Sequence, residues 1–584
     1  MLKLYVYLTD FQVITVWKGV NQKCSLRNAQ AAYSAVIQTF AHLKDKDMRR
    51  RQLAHLLIPL VLALAACGNG NKPDPARTLQ IGNFAEPGTL DPSKLDGSWE
   101  GRIADALFMG LTTNLANGDV VPGMATSWTT SPDGLTWTFK LRDAQWSDGT
   151  PVTAADFVAG MHRLMTLVPP SASVSVYFFI ENAEAVRDGK LPVEALGVRA
   201  LDPKTVEFKL NRPAPYLPRL LSWANAAPIP RQTIAAHGDG WIKPENFVGN
   251  GPYLLKEWKA GDFVHLTKNP TFFDAASVCL TDLYFYPTKD VIAAERAVRS
   301  GSLDMNFDFS GSRLEEIKRN MPGYAHVTQG QRTSYISFNM RRPEFKDLRV
   351  RQALSMAVDR DFIALKVLAD GSEPAYSIVP KGIKSYAGGT VTLASKGQSQ
   401  EARVAKARSL LEAAGYGPTK PLVLTFAHRN SGEVPKIAPV LQANWQSIAP
   451  WVKISLQAND NAIHYAALDR GDYQFADASW GTITSDAIEH LELIKTGAGS
   501  NYGAFSDPVY DRLLEKAAQT ADIKLREKAF LEAEARALDQ LGITPVIFDS
   551  MRQLVNPRVT GYVVNGTGDN PFRLMCTKEA QAAK

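Results

Sequence analysis

Cysteine is scarce: four in 584 residues, at Cys24, Cys67, Cys279 and Cys576. None stand in CxxC spacing, which argues against a structural zinc site and a thioredoxin-like redox pair. Cys279 and Cys576 admit two readings, a disulfide in an oxidising compartment or two buried free thiols. An excess of charge of one sign is also missing. With 65 Lys and Arg against 59 Asp and Glu, the net charge is only +6. The basic residues are scattered along the chain with no basic stripe, so nucleic acid is not an expected partner. After Cys67 no apolar run is long enough to span a bilayer. No repeat of fixed period recurs, which removes solenoids and propellers. HExxH, GxSxG, a P-loop and a strand-linked GxGxxG are all lacking, and the seven histidines after Cys67 include no i, i+4 pair. Neither an enzyme active site nor a cofactor or metal centre is therefore expected. Val248-Gly249-Asn250-Gly251 reads as a turn before a strand and not as a phosphate cradle.

What is present is ordinary for a globular protein: 45% hydrophobic and 21% charged residues. A chain of this length exceeds what one core usually supports, so two or three lobes are expected. The N-terminal region is the most informative short stretch. Met48 precedes Arg49-Arg50-Arg51, an apolar run from Leu53 to Ala66, and then Cys67-Gly68. A basic head, a short apolar segment and small residues before the cut describe a secretory signal peptide over 48–66. Small residues before a cysteine resemble the lipobox of bacterial lipoproteins, in which that cysteine, here Cys67, becomes the lipidated first residue. Residues 1–47 are then best explained by an over-long start, and they are expected to carry no structure. Gly68–Pro73 reads as a flexible tether.

Strand and helix signals alternate through the rest. Thr78–Phe84, Leu135–Leu141 and Thr205–Leu210 show the period-two pattern of half-buried strands. Thr153 is placed to cap a helix, with Asp156 near its positive end. Val404–Ala414 is amphipathic and stops at Gly415. Pro508–Ala518, opened by Asp507, and Ile523–Leu541 repeat the amphipathic pattern. The alternation indicates α/β lobes with mixed sheets.

Several blocks, in order, carry a more specific signal: Ala104–Gly110, Val121–Trp128, Ser131–Arg142, Trp146–Asp156, Gly189–Leu210, Val248–Trp258, Tyr335–Asp359 and Ala405–Tyr416. Together they resemble the extracellular solute-binding proteins of family 5, the oligopeptide-binding lipoproteins in particular. The resemblance implies an α/β fold of the type II periplasmic-binding-protein kind: two main lobes joined by a two-segment hinge, plus an inserted domain. Lobe I would comprise 67–99, 231–331 and 550–584, lobe II 100–230, and lobe III 332–549. The hinge would run through Thr333–Ile336 and Pro545–Asp549. It further implies a monomer that closes on an oligopeptide and delivers it to the permease subunits of an ABC transporter.

In that family an extended peptide lies between lobes I and III, held by strand-like hydrogen bonds. The corresponding segment here is Ala478–Thr482, with Trp480 facing the ligand and Ser479 and Gly481 permitting close approach. Tyr177, Tyr335 and Ser337 are further candidates. Two positions depart from the pattern. Peptide-binding members commonly carry an aspartate three residues after the tryptophan, holding the ligand's α-ammonium group; here it is Ile483. An arginine often lies three residues before it; here it is Asp477. Either another carboxylate serves, with Glu86, Asp477 and Asp486 as candidates, or the ligand offers no free amine there. The same fold binding an end-modified peptide, a nickel complex or an oligosaccharide is therefore the alternative, as is a receptor that passes occupancy to a sensor. The location implied is periplasmic or cell-surface, tethered to the membrane through Cys67. Gly68 stands where an aspartate usually retains lipoproteins at the inner membrane.

Overall fold

The computed structural model describes residues 5–9, 12–16 and 73–582, apart from 172–173, 384–385 and 483. The signal segment, Cys24 and Cys67 lie outside the described residues. Two units are present, 1–72 and 73–584. In the first, Tyr5–Thr9 pairs antiparallel with Gln12–Val16. The expectation of an unstructured 1–47 thus fails for these ten residues, whose β-branched and aromatic side chains favour a strand ribbon.

The second unit contains, in chain order, strands β1 (Thr78–Gly82), β2 (Ala125–Thr130), β3 (Thr136–Leu141), β4 (Val198–Asp202), β5 (Thr205–Lys209), β6 (Tyr253–Lys259) and β7 (Phe263–Lys268). They are followed by β8 (Asp282–Tyr286), β9 (Met305–Asn306), β10 (Ala325–Phe338), β11 (Leu422–Arg429), β12 (Val452–Asn459), β13 (Phe475–Gly481) and β14 (Thr544–Val555). Strands β2, β3, β5 and β4 form a separate four-stranded antiparallel sheet, the inserted element of the fold. Most of the remainder join one sheet in the order β6-β7-β8-β1-β9-β14-β10-β13-β11-β12.

The sheet changes character at its middle. Strands β10 and β14 are long enough to serve both halves. Ala325–Gln329 pairs with Ser550–Leu554, and Thr333–Ile336 pairs with Thr544–Phe548. Between these blocks Gly330, Gln331 and Arg332 stand opposite Asp549 alone, a bulge that breaks the ladder. A Cβ on Gly330 would lie 3.0 Å from the Asp549 carbonyl oxygen, so the bend is tight. The two crossing segments expected from the sequence are these strands, with the break at 330–332 and 549.

Local chemistry sets the helices. Asp507 accepts hydrogen bonds from the Val509 and Tyr510 amides (2.9 and 3.0 Å) and opens the helix Pro508–Gln519. Gln400–Ala413 ends before Gly415, whose φ of +86° suits glycine. At Ala154–Thr166 Thr153 is the N-cap, as expected, and Asp156 closes a capping box by accepting from the Thr153 amide and hydroxyl (2.8 and 3.0 Å). Cys279 and Cys576 form a disulfide, Cα atoms 5.3 Å apart, tying the approach to β8 to the C-terminal segment.

Glu534, on the helix Ile523–Asp539, is wholly buried. It accepts hydrogen bonds from the Ile378 and Val379 amides (2.7 and 2.8 Å) and from the Tyr386 hydroxyl. Burial pushes its carboxyl up to about 7, against the pull of those donors. The native state therefore holds a proton that the unfolded chain has released, and stability falls as pH rises from about 4.5 to about 7. Glu534→Gln keeps the acceptor for both amides and mimics the protonated acid. It is expected to raise stability at pH 8.5 by up to about 3 kcal/mol and to change little at pH 4. Denaturant melts at the two pH values check this, and a loss at pH 8.5 would refute it.

Candidate functional site

A cleft of about 490 Å³ lies at the strand crossing, with walls from both halves of the main sheet. Arg332, Ser334 and Tyr335 come from β10, Arg429 from the end of β11, Asp477 and Ser479 from β13, and Asp549 from β14. Asp308, Ser310 and Arg552 close the opposite side. Register decides which side chains meet. Asp477 pairs with Ile336, Ser479 with Ser334 and Gly481 with Arg332, so these positions share one face of the sheet. Ala478 pairs with Tyr335 and Trp480 with Thr333, on the other face.

The cleft is lined by charges already matched to one another. Asp477 accepts the Arg429 Nε–H at 2.7 Å and the Arg429 amide at 2.7 Å, and His464 Nε2 lies 3.4 Å away. Burial works against the Arg429 charge, but Asp477, Tyr465 and Asp549 outweigh it and raise its pKa further. The Ser479 hydroxyl accepts from Arg332 and Arg429 (both 3.2 Å). Arg552 binds Asp370 and lies 3.4 Å from Asp308. Asp549 accepts the Ser334 hydroxyl at 2.8 Å, with Arg332 Nε 3.9 Å distant. Burial raises the Asp549 carboxyl above the usual carboxylate range despite those donors.

Of the residues proposed from sequence, Tyr335, Asp477 and Ser479 line this cleft. Gly481 follows on the same face, but a Cβ there would meet nothing closer than 3.6 Å, so glycine is not required by crowding. Trp480 is half-buried, and among the described residues neither its indole N–H nor the buried Tyr335 hydroxyl has a hydrogen-bond partner. Ser337 is buried and shares a hydrogen bond with the Tyr473 hydroxyl at 3.0 Å. Tyr177 is wholly buried, its hydroxyl donating to the Leu220 carbonyl at 3.3 Å, so its place is in the core. Glu86 accepts the Trp258 indole N–H at 2.8 Å and stands off the cleft wall. Asp486 is neither ligand-facing nor solvated: Arg526 grips both its oxygens (2.6 and 2.8 Å), and the pair is buried. Ile483 lies outside the described residues.

Arg332, Arg429 and Asp549 are the functional candidates that the sequence did not reveal. Each is a lone charged residue in its own segment, and only the sheet register brings them together.

Residues 119–502 match the family described as bacterial extracellular solute-binding proteins, family 5, middle region. A probable deoxycholate-binding periplasmic protein of Escherichia coli, YgiS, is 31% identical over 500 residues, 85% of this chain and 92% of that protein. The periplasmic oligopeptide-binding protein OppA of the same organism is 32% identical over 502 residues, 85% of this chain and 91% of that protein. Among solved structures, the unliganded open form of the periplasmic murein tripeptide binding protein MppA superposes with a TM-score of 0.78 at 31% identity, covering 86% of this chain and 98% of that one. The chain belongs to the family 5 bacterial extracellular solute-binding proteins, and its fold is the type II periplasmic-binding-protein fold. Membership places its working location outside the cytoplasm.

The Arg429–Asp477 pair is largely shielded from solvent, so its halves depend on each other. Arg429→Met is expected to cost about 3 to 5 kcal/mol of stability by leaving Asp477 uncompensated. Arg429→Met combined with Asp477→Asn should recover most of that loss. Urea titrations of the two variants provide the check, and equal losses would show that the pairing is not what matters.

Proposed function

We propose that this protein is the substrate-binding component of an ABC importer, capturing oligopeptides in the cleft at the strand crossing. It binds and releases its ligand without transforming it. One observation carries the reading: the cleft takes walls from both halves of a sheet that, among the described residues, the bulged strands β10 and β14 run through continuously. A ligand that touches both walls favours the closed arrangement by its differential contacts, and a transporter then distinguishes loaded from empty protein. Tyr335, Asp477 and Ser479 are the lining residues we assign to the ligand's backbone. The peptide-binding names among its relatives support the same substrate class.

A second reading keeps the fold and changes the ligand. It is favoured by Ile483 at the position of the expected aspartate, and by the engagement of Asp477 and Asp486 with arginines. Mass spectrometry of ligand released by denaturing protein taken from its native compartment separates the two. Short unmodified peptides are the expected result. A single end-blocked peptide or non-peptide species would establish the second reading.

We also assign Cys67 as the lipidated residue that tethers an otherwise water-facing, monomeric protein to the membrane. With more than one acyl chain such an anchor is stable, whereas a single chain holds only marginally. Cys67→Ser is expected to move the protein from the membrane fraction to the soluble fraction. Retention in the membrane would overturn the assignment.

A further inference from the structure

A second and larger cavity, about 690 Å³, adjoins the crossing; Val291, Asp308, Ser550 and Arg552 border both spaces. Its other walls come from the helix Ser98–Leu107, the turn Ser222–Asn225, Asn306–Phe307 and the C-terminal stretch Thr567–Arg573. Among the described residues, nothing from 332–549 contributes to it.

Asp105 stands on this wall. Its carboxylate accepts the Ala224 amide at 2.9 Å and, among the described residues, makes no ion pair. The nearby cations are engaged elsewhere. Arg102, three residues earlier on the same helix, gives its Nε–H to Asn83 at 3.0 Å and lies over the Phe307 ring at 4.0 Å. Arg219 is bound to Asp569 and to Asn114 (3.3 Å). Other carboxylates around the two cavities have cations: Asp370 has Arg552, Asp477 has Arg429, Asp569 has Arg219 and Glu433 has Lys436. Asp105 thus presents an exposed carboxylate to the open cavity, with one donor and with Asp569 near enough to repel it. Trp99 and Trp223 also line this cavity, and indole rings attract cations.

We propose that Asp105 receives the cationic group of the bound ligand, a terminal ammonium or a lysine side chain, in place of the aspartate missing at position 483. The proposal rests on the peptide reading and adds to it the residue that recognises charge. Because the cavity owes nothing to residues 332–549, the cation docks on one side of the crossing before the other side closes over the ligand. An ammonium at Asp105 supplies the missing counter-charge and offsets the repulsion from Asp569, so recognition comes from relieving an existing electrostatic penalty.

The test is calorimetric titration of the full-length protein and its Asp105→Asn variant with three alanine-based tetrapeptides. One has a free N-terminus, one is N-acetylated, and one is N-acetylated with an internal lysine. If the terminal amine is the source, wild type binds the free peptide about 10- to 100-fold more tightly than the acetylated one. If the side chain is the source, the lysine peptide has that advantage instead. In either case Asp105→Asn, which keeps the acceptor for the Ala224 amide, abolishes the preference. A measurement on wild type alone guards against misfolding of the variant. Burial and Asp569 push the Asp105 carboxyl up to about 7, while Arg219 and Arg102 oppose them, so the preference should fade between pH 8 and pH 5 as Asp105 gains its proton. Peptide binding with no preference for a cation, or a preference that survives Asp105→Asn, overturns the proposal and leaves the peptide reading standing. No binding of any peptide by wild type overturns both.

Discussion

The pairing of β10 with β14 is the constraint on which the rest of the molecule depends. Each strand is a continuous covalent link through both halves of the sheet, and each is paired on both sides of a three-against-one bulge. Ladder pairing joins β10 and β14 in both blocks, while across the interval Gly330–Arg332 opposite Asp549 their register is broken. Bending is therefore concentrated at one place, where a few backbone dihedrals absorb it and the packed cores on either side need not deform. The same interval puts Arg332 and Asp549 on the wall of the cleft. Hinge and site thus share residues, and contact with a ligand there acts directly on the strands whose geometry sets the opening.

Much of the framework was legible in the sequence because its signals are local. The alternation of Thr136–Leu141 and of Thr205–Lys209, the Asp507-Pro508 helix start and the Gly415 stop each lie within a few residues, where propensity and capping decide the outcome. The ordered blocks from Ala104 to Tyr416 carried the family, and with it the lobed plan. Thr153 and Asp156 were legible in the same way as a helix start, which the hydrogen bonds between them close.

The site was less legible because its chemistry is non-local. Asp486 looked like a free carboxylate along the chain, and the buried Arg526 that neutralises it is 40 residues away. Tyr177 was a candidate for a ligand-binding hydroxyl, yet that hydroxyl finds a backbone carbonyl in the core. The period-two rule also divides the segment proposed from sequence, sending Asp477 and Ser479 to one face and Trp480 to the other. Spacing alone does not reveal which face a cavity will occupy.

The departures at positions 477 and 483 then take on a common physical meaning. Asp477 stands where an arginine was expected, and Arg429 reaches it from the neighbouring strand, so positive charge remains in that part of the cleft although it comes from a different segment. A relocated cation of this kind preserves the local balance and needs no change in the ligand. Loss of the acid at 483 is different, because Asp477 is already consumed by Arg429 and Asp486 by Arg526. A carboxylate locked in a buried pair is a poor host for a second cation, since accepting one would mean weakening an interaction whose loss costs several kcal/mol. The counter-charge for a ligand amine must then come from a carboxylate that the fold leaves uncompensated. The physical demand moves from the strand that carries Trp480 to the opposite side of the crossing, where Asp105 faces open space.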